Sequence, residues 1–106
     1  MVRPFISMLI TGVIFIGLTI PTASADVLLI EKVRERMARD LPDNGLHMEE
    51  VERRYGIPAE RRAPVGDPPI TRWVYDDYSV YFEYQLVIDS VLHPDAVIRE
   101  ANRQQN

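Results

Sequence analysis

Two histidines, His47 and His93, supply every imidazole in this 106-residue chain, and it contains no cysteine. A zinc site needs four donors, or three and an open position, at set spacings. His47 with Glu50 lacks the spacing of a zinc-binding helix and no thiolate completes a set, so no metal and no other cofactor is expected. Asp76, Asp77 and Glu83 remain as acid/base candidates. They would suit a hydrolase or ligand-binding protein if they converged in a deep pocket. Asp76-Asp77, however, also has the chemistry of a tight turn, which leaves Glu83 at the far end of the resulting hairpin. Ser79 and Ser90 follow no glycine-rich elbow and have no histidine at a suggestive spacing. Val65-Gly66-Asp67 is too short for a phosphate loop. No catalytic constellation emerges, and the expected role is non-enzymatic.

The rings are concentrated elsewhere. TRWVYDDYSVYFEY, from Thr71 to Tyr84, holds the only Trp and four of the five Tyr. With Asp76-Asp77 as a two-residue turn, Tyr75 pairs with Tyr78, Trp73 with Val80 and Thr71 with Phe82. Opposed residues share a face, so Trp73, Tyr75, Tyr78, Val80 and Phe82 form the core side. Arg72, Val74, Ser79, Tyr81 and Glu83 fall on the other side. Tyr and Arg are enriched at protein interfaces because they bury area while keeping a polar tip. The candidate partner-binding residues are therefore Arg72, Tyr81, Glu83 and Tyr84, with Pro68 and Pro69 in the preceding loop. An ordinary solvated face, with Arg72 on the Tyr81 ring and paired with Glu83, stays open as the alternative.

These residues need a scaffold. Ile30, Val33, Met37 and Leu41, with Leu29 beside them, recur at helical spacing and predict a core-facing helix over 27–41, capped by Asp26 and stopped by Pro42 and Gly45. LHMEEVERRYG, Leu46 to Gly56, predicts a second helix whose acidic first turn and basic last turn complement its dipole. Ala59 to Pro69 has no apolar period and is expected to be a stiff, proline-rich loop. A third strand follows at Leu86 to Leu92. A two-residue turn at Tyr84-Gln85 would turn Val87, Asp89 and Val91 to the core, and a three-residue loop would turn Ile88, Ser90 and Leu92 there. The second register is preferred, because burying a carboxylate costs more than burying a hydroxyl. Asp95 to Ala101 is compatible with a short helix, and Asn102 to Asn106 is expected to fray. The fold class is α+β: two N-terminal helices packed on one face of a three-stranded antiparallel meander, with both apolar stripes on the Trp73 side.

At the front of the chain, Arg3, the uncharged run Phe5 to Ile20 and the small-residue site Ala23-Ser24-Ala25 have the layout of a secretory signal peptide. This 16-residue run falls short of the roughly 20 that span a bilayer. The expected organisation is a signal peptide at 1–25, cleaved after Ala25, one domain at 26–94 and a tail at 95–106. The expected destination is outside the cytoplasm, the periplasm if the resemblance described next holds, with no stable membrane anchor after cleavage. Losing Arg3 would leave 16 acidic against 11 basic residues, and this acidic balance argues against nucleic acid as a partner.

From Gly45 to Leu92 the chain resembles the SmpA/OmlA (BamE-like) domain family, in small non-lipidated periplasmic relatives. The residues that carry the resemblance are Gly45-Leu46-His47, Val51 with Tyr55, Gly56-Ile57-Pro58, Trp73-Val74-Tyr75 and Val80-Tyr81-Phe82. His47 stands where the family has a Thr or Ser helix cap, and the lipid-bearing Cys of the assembly-machine member is absent. The resemblance implies two helices on a three-stranded meander. It also implies a protein-interaction role toward an envelope protein or outer-membrane complex. β-Lactamase inhibitor proteins are built from a similar unit, so an inhibitor-like module is a further reading.

Overall fold

Hairpin chemistry sets the centre of the molecule. In the computed structural model, which describes residues 12–17 and 23–105, Tyr75 N–H donates to Tyr78 O at 2.8 Å and closes the Asp76-Asp77 turn. Two strands leave it, written β2 (Ile70–Val74) and β3 (Tyr78–Glu83) because a further strand precedes them. Their register is the expected one: Trp73 opposite Val80, Arg72 opposite Tyr81, Thr71 opposite Phe82. Trp73, Tyr75, Val80 and Phe82 are buried together with Val51 and Val87, and Tyr78 packs against them.

The loop expected at Ala59–Pro69 contains that further strand, β1 (Glu60–Arg61), so the sheet has four strands in the order β1-β2-β3-β4. Glu60 pairs with Val74 and Arg61 with Trp73. β1 pairs the outer N–H and C=O groups of β2 and becomes the sheet edge in its place. Arg62 N–H continues the ladder to Arg72 O at 3.0 Å. Arg61 also lies over the Trp73 ring, 4.8 Å from its centroid, and pairs with Glu52 at 3.1 Å. Two charged residues flanked by prolines carry no strand period, which is why alternation did not reveal them.

The last strand, β4 (Leu86–Leu92), reconciles the two registers. The turn is the two-residue one, Glu83 facing Leu86, and Val87 faces Phe82 in the core. A bulge between the Tyr81 and Phe82 positions then shifts the strand by one residue, setting Asp89 opposite Tyr81 and Ser90 opposite Val80. The preferred three-residue loop is absent, yet Ser90 and Leu92 still reach the core side. The extra residue keeps both Val87 and Leu92 on the covered face and Asp89 in water, an outcome no uninterrupted ladder provides. Ser90 satisfies its hydroxyl by donating to Pro42 O at 2.9 Å.

α2 (Met48–Tyr55) lies on the Trp73 cluster through Val51, Met48 and Tyr55. His47 fills the cap position that a Thr or Ser would occupy, its Nδ1 accepting from Glu49 N–H at 3.5 Å. Gly56, at φ 85°, ends the helix, and its carbonyl accepts from the buried Tyr75 hydroxyl at 2.8 Å.

The other helices depart from expectation. α1 (Ala23–Ala38) starts before Asp26, overlapping the expected cleavage site, and stops short of Leu41. The signal peptide expectation itself, 1–25, falls mostly outside the described residues. The short helix expected at Asp95–Ala101 is present and runs on through the residues expected to fray, as α3 (Pro94–Gln105). Leu29, Ile30, Val33 and Met37 of α1 do form one stripe, but it packs mainly on Val97 and Ala101 of α3 and on Leu92 at the end of the covered sheet face, outside the Trp73 cluster. Small Ala101 lies in the seam between the two helices, and Arg36 joins Glu100 at 2.7 Å. Two clusters thus replace the single core expected.

Candidate functional site

The sheet face opposite Trp73 can be laid out row by row from the strand pairings. Nearest the Asp76-Asp77 turn lie Glu60, Val74, Ser79 and Val91. The middle row is Arg62, Arg72, Tyr81 and Asp89. The last row is Val65, Ile70, Glu83 and Leu86. None of these residues belongs to either helix-covered cluster. Val65 is 73% exposed, Leu86 49% and Val91 45%, so the face presents apolar surface to solvent.

Arg72 and Tyr81 meet as expected, the guanidinium 5.7 Å from the ring centroid. The Arg72–Glu83 pair that belonged to the solvated-face alternative does not form among the described residues. Arg72 instead directs Nε and Nη2 toward Ser79 Oγ, at 3.4 and 3.3 Å. Glu83 ends β3 with no carboxylate–cation contact among the described residues. Tyr84 and the prolines join this end of the face: Tyr84 N–H donates to Pro69 O at 3.1 Å, while Val65 and Ile70 exchange two backbone bonds across the turn holding Pro68 and Pro69. All six candidate partner-binding residues therefore lie on one side or at one end of the sheet.

The carboxylates are not brought together. Asp76 and Asp77 sit at the hairpin turn and Glu83 at the opposite end of β3, six residues at about 3.3 Å each, or roughly 17–20 Å away. Asp77 is engaged by Arg99 at 3.2 Å. That separation precludes shared acid/base work on one bond.

One constellation escaped the sequence. Ser79, expected on the open face, is 2% exposed there, because His93 folds over it and places Nε2 2.8 Å from its Oγ. His93 Nδ1 lies 3.2 Å from the Asp76 carbonyl, which can only accept, so Nδ1 carries the proton and Nε2 receives the serine hydroxyl. His93 N–H further donates to Asp77 O at 2.8 Å. Hydroxyl, base and orienting carbonyl are in the order of an activated nucleophile. In this arrangement, however, the hydroxyl is sealed beneath Arg72 and His93, and the geometry serves to pin the start of α3 to the hairpin. Only the β3–β4 pairing brings positions 79 and 93 together, and no local motif announces it. The Val65–Ile70 pair had a signal, the turn residues Gly66-Asp67-Pro68-Pro69 between two β-branched residues.

Among the described residues no helix is long and apolar enough to cross a membrane, and no three His, Asp or Glu side chains gather to hold a metal ion. No protein-family model, no curated protein and no solved structure matches this chain.

Proposed function

We propose that this chain is a non-catalytic interaction domain of the bacterial periplasm, acting through the sheet face that carries Arg72 and Tyr81. The observation that carries the reading is the combination on that face. A half-buried Arg stacked on a Tyr stands among exposed Val65, Leu86 and Val91, with no helix packed over them. Interfaces are enriched in Tyr and Arg because each buries area while keeping a polar tip, and Arg72 with Tyr81 stands in the middle row of this face. Export is supported by the apolar run and the Ala23-Ser24-Ala25 site. The resemblance to the SmpA/OmlA family makes an envelope protein or outer-membrane complex the expected partner.

The test is the double variant Arg72→Ala/Tyr81→Ala. Both side chains are only partly buried, so the melting curve should shift by about 1 kcal/mol of stability or less. Capture of a partner from envelope extract should fall at least about tenfold. Capture and melt both unchanged would remove the face from the interaction. A collapsed melt would mean that the face is part of the folding core.

A further inference from the structure

His93 joins three elements at one corner. Its ring lies on Ser79 of β3, its backbone leads into α3, and its Nδ1 and N–H reach the carbonyls of Asp76 and Asp77 in the hairpin turn. With the proton on Nδ1, Nε2 is a bare acceptor. The Ser79 hydroxyl offers one hydrogen and two lone pairs. Arg72 Nε and Nη2 donate to Oγ at 3.4 and 3.3 Å, and the hydrogen goes to His93 Nε2 at 2.8 Å. Ser79 is buried, so its oxygen is satisfied by these two side chains alone and has no lone pair left for a third donor.

We propose that this corner is a pH-sensitive latch: protonation of His93 releases its ring from Ser79 and loosens the first turn of α3. A proton on Nε2 turns the acceptor into a donor aimed at an oxygen whose lone pairs Arg72 already holds, and it strands the serine hydrogen. It also sets two cations against one oxygen. The His93 carbonyl accepts from Ala96 N–H at 3.0 Å and Val97 N–H at 3.3 Å, so the ring stands at the N-terminal end of α3, where the helix dipole disfavours positive charge. The carboxylates nearby offset little of this. Asp77 and Asp95 are both held by Arg99, at 3.2 and 2.8 Å, and Glu60, at the β1 end of the row, is held by Arg62. Asp89 of β4 lies one row away and accepts from Ser90 N–H, beside Tyr81, whose ring carries Arg72. Asp40, past the end of α1, lines a small cavity with Asp77. Asp76 has no ion pair among the described residues, but it is exposed and its charge is screened by water. The closed corner therefore favours the neutral ring and binds fewer protons than the open one. Closure is complete near pH 8 and is lost as pH falls through the range, about 8 to 5, in which histidines ordinarily gain charge. His93 is only half-buried, so protons reach it from solvent. Its release uncovers the Ser79 end of the open face, while Val97 and Ala101 keep α3 on α1.

Amide hydrogen exchange on the full-length chain at about pH 8 and about pH 5 tests this, with rates expressed as protection factors so that the intrinsic pH dependence cancels. The lower pH still lies above the usual carboxylate range. The His93, Ala96 and Val97 N–H groups report the latch. Their protection should fall at least about tenfold in acid, as for the loss of one buried hydrogen bond. Trp73 and Val80, in the β2–β3 ladder, should keep theirs. His93→Gln supplies an oxygen that accepts but does not titrate, so its protection should be the same at both pH values. Arg72→Met frees the Ser79 lone pairs, so a protonated His93 can donate to Oγ and the acid loss should shrink at least about threefold. Equal wild-type protection at the two pH values overturns the proposal, as does an acid loss that persists in His93→Gln. An acid loss undiminished in Arg72→Met overturns it too. That variant decides alone if His93→Gln does not fold, because Arg72 lies outside both helix-covered clusters.

Discussion

Tyr84 holds φ at 54°, the one positive φ among the described non-glycine residues, and is 62% exposed. A bulky residue in the left-handed region costs on the order of 1 kcal/mol or more. The two-residue turn between β3 and β4 needs such a conformation, and glycine meets it without strain. The exposed ring returns little packing to offset that cost, which fits a residue kept for contact with another molecule. Tyr84→Gly should therefore leave stability unchanged or raise it by up to about 1 kcal/mol, strain relief outweighing the added freedom of the unfolded chain. Urea denaturation measures this, and partner capture should fall in the same variant. A loss above about 1 kcal/mol would show that the ring is packed and that its exposure is misleading.

Among the elements, α3 depends on its corner. His93 contributes three hydrogen bonds there, to Ser79 Oγ, Asp76 O and Asp77 O, and Arg99 adds an ion pair to Asp77. His93→Ala keeps the backbone bond but leaves the buried Ser79 hydroxyl without its acceptor. The expected cost is about 1–3 kcal/mol. Replacing both ends removes the stranded hydroxyl, so Ser79→Ala/His93→Ala should cost less than the two single changes summed. The non-additivity should be about 0.5 kcal/mol or more in chemical denaturation. Strict additivity would mean that the two side chains are not coupled in solution.

At the scale of the whole molecule, the two clusters meet near Tyr78. It packs against the Trp73 cluster on one side and lines a small cavity with Met37, Asp40, Leu41 and Leu92 on the other. Burial pushes its phenol up to about 12, and the neighbouring Tyr75, Tyr55 and Asp77 push the same way. Burial likewise raises Tyr75, with Arg61 opposing and Glu52 adding. A raised value in the folded state means the neutral phenol is the form that folding favours. Its contribution is complete below the ordinary value of 10.0 and is lost as pH climbs through about 12. Melting temperature should thus fall over that alkaline window, and Tyr78→Phe should fall less steeply because it has nothing to ionise. An identical alkaline profile in the variant would move the cause to other groups.

The sequence by itself determined what neighbours along the chain decide. Asp76-Asp77 set the turn, alternation then set the β2–β3 register and the buried face of Trp73 and Phe82, and Gly56 with the charged turns of 46–56 bounded α2. These are short-range choices of backbone conformation and side-chain alternation, and each is written within a few residues. Arg72 beside Tyr81 followed from the same register. Only the tertiary structure decided which partner each apolar stripe would take. The α1 stripe has no feature that prefers the sheet over α3, and Val97 and Ala101 of α3 take it together with Leu92. β1 forms by pairing along the edge of β2, a partner far along the chain, and not because Glu60 and Arg61 favour a strand. The bulge in β4 answers a conflict between Val87 and Asp89 that neither unbroken register resolves. Ser79 and His93 meet across two strands for the same reason: long-range pairing is settled by the closure of the whole sheet, and no window of the sequence contains it.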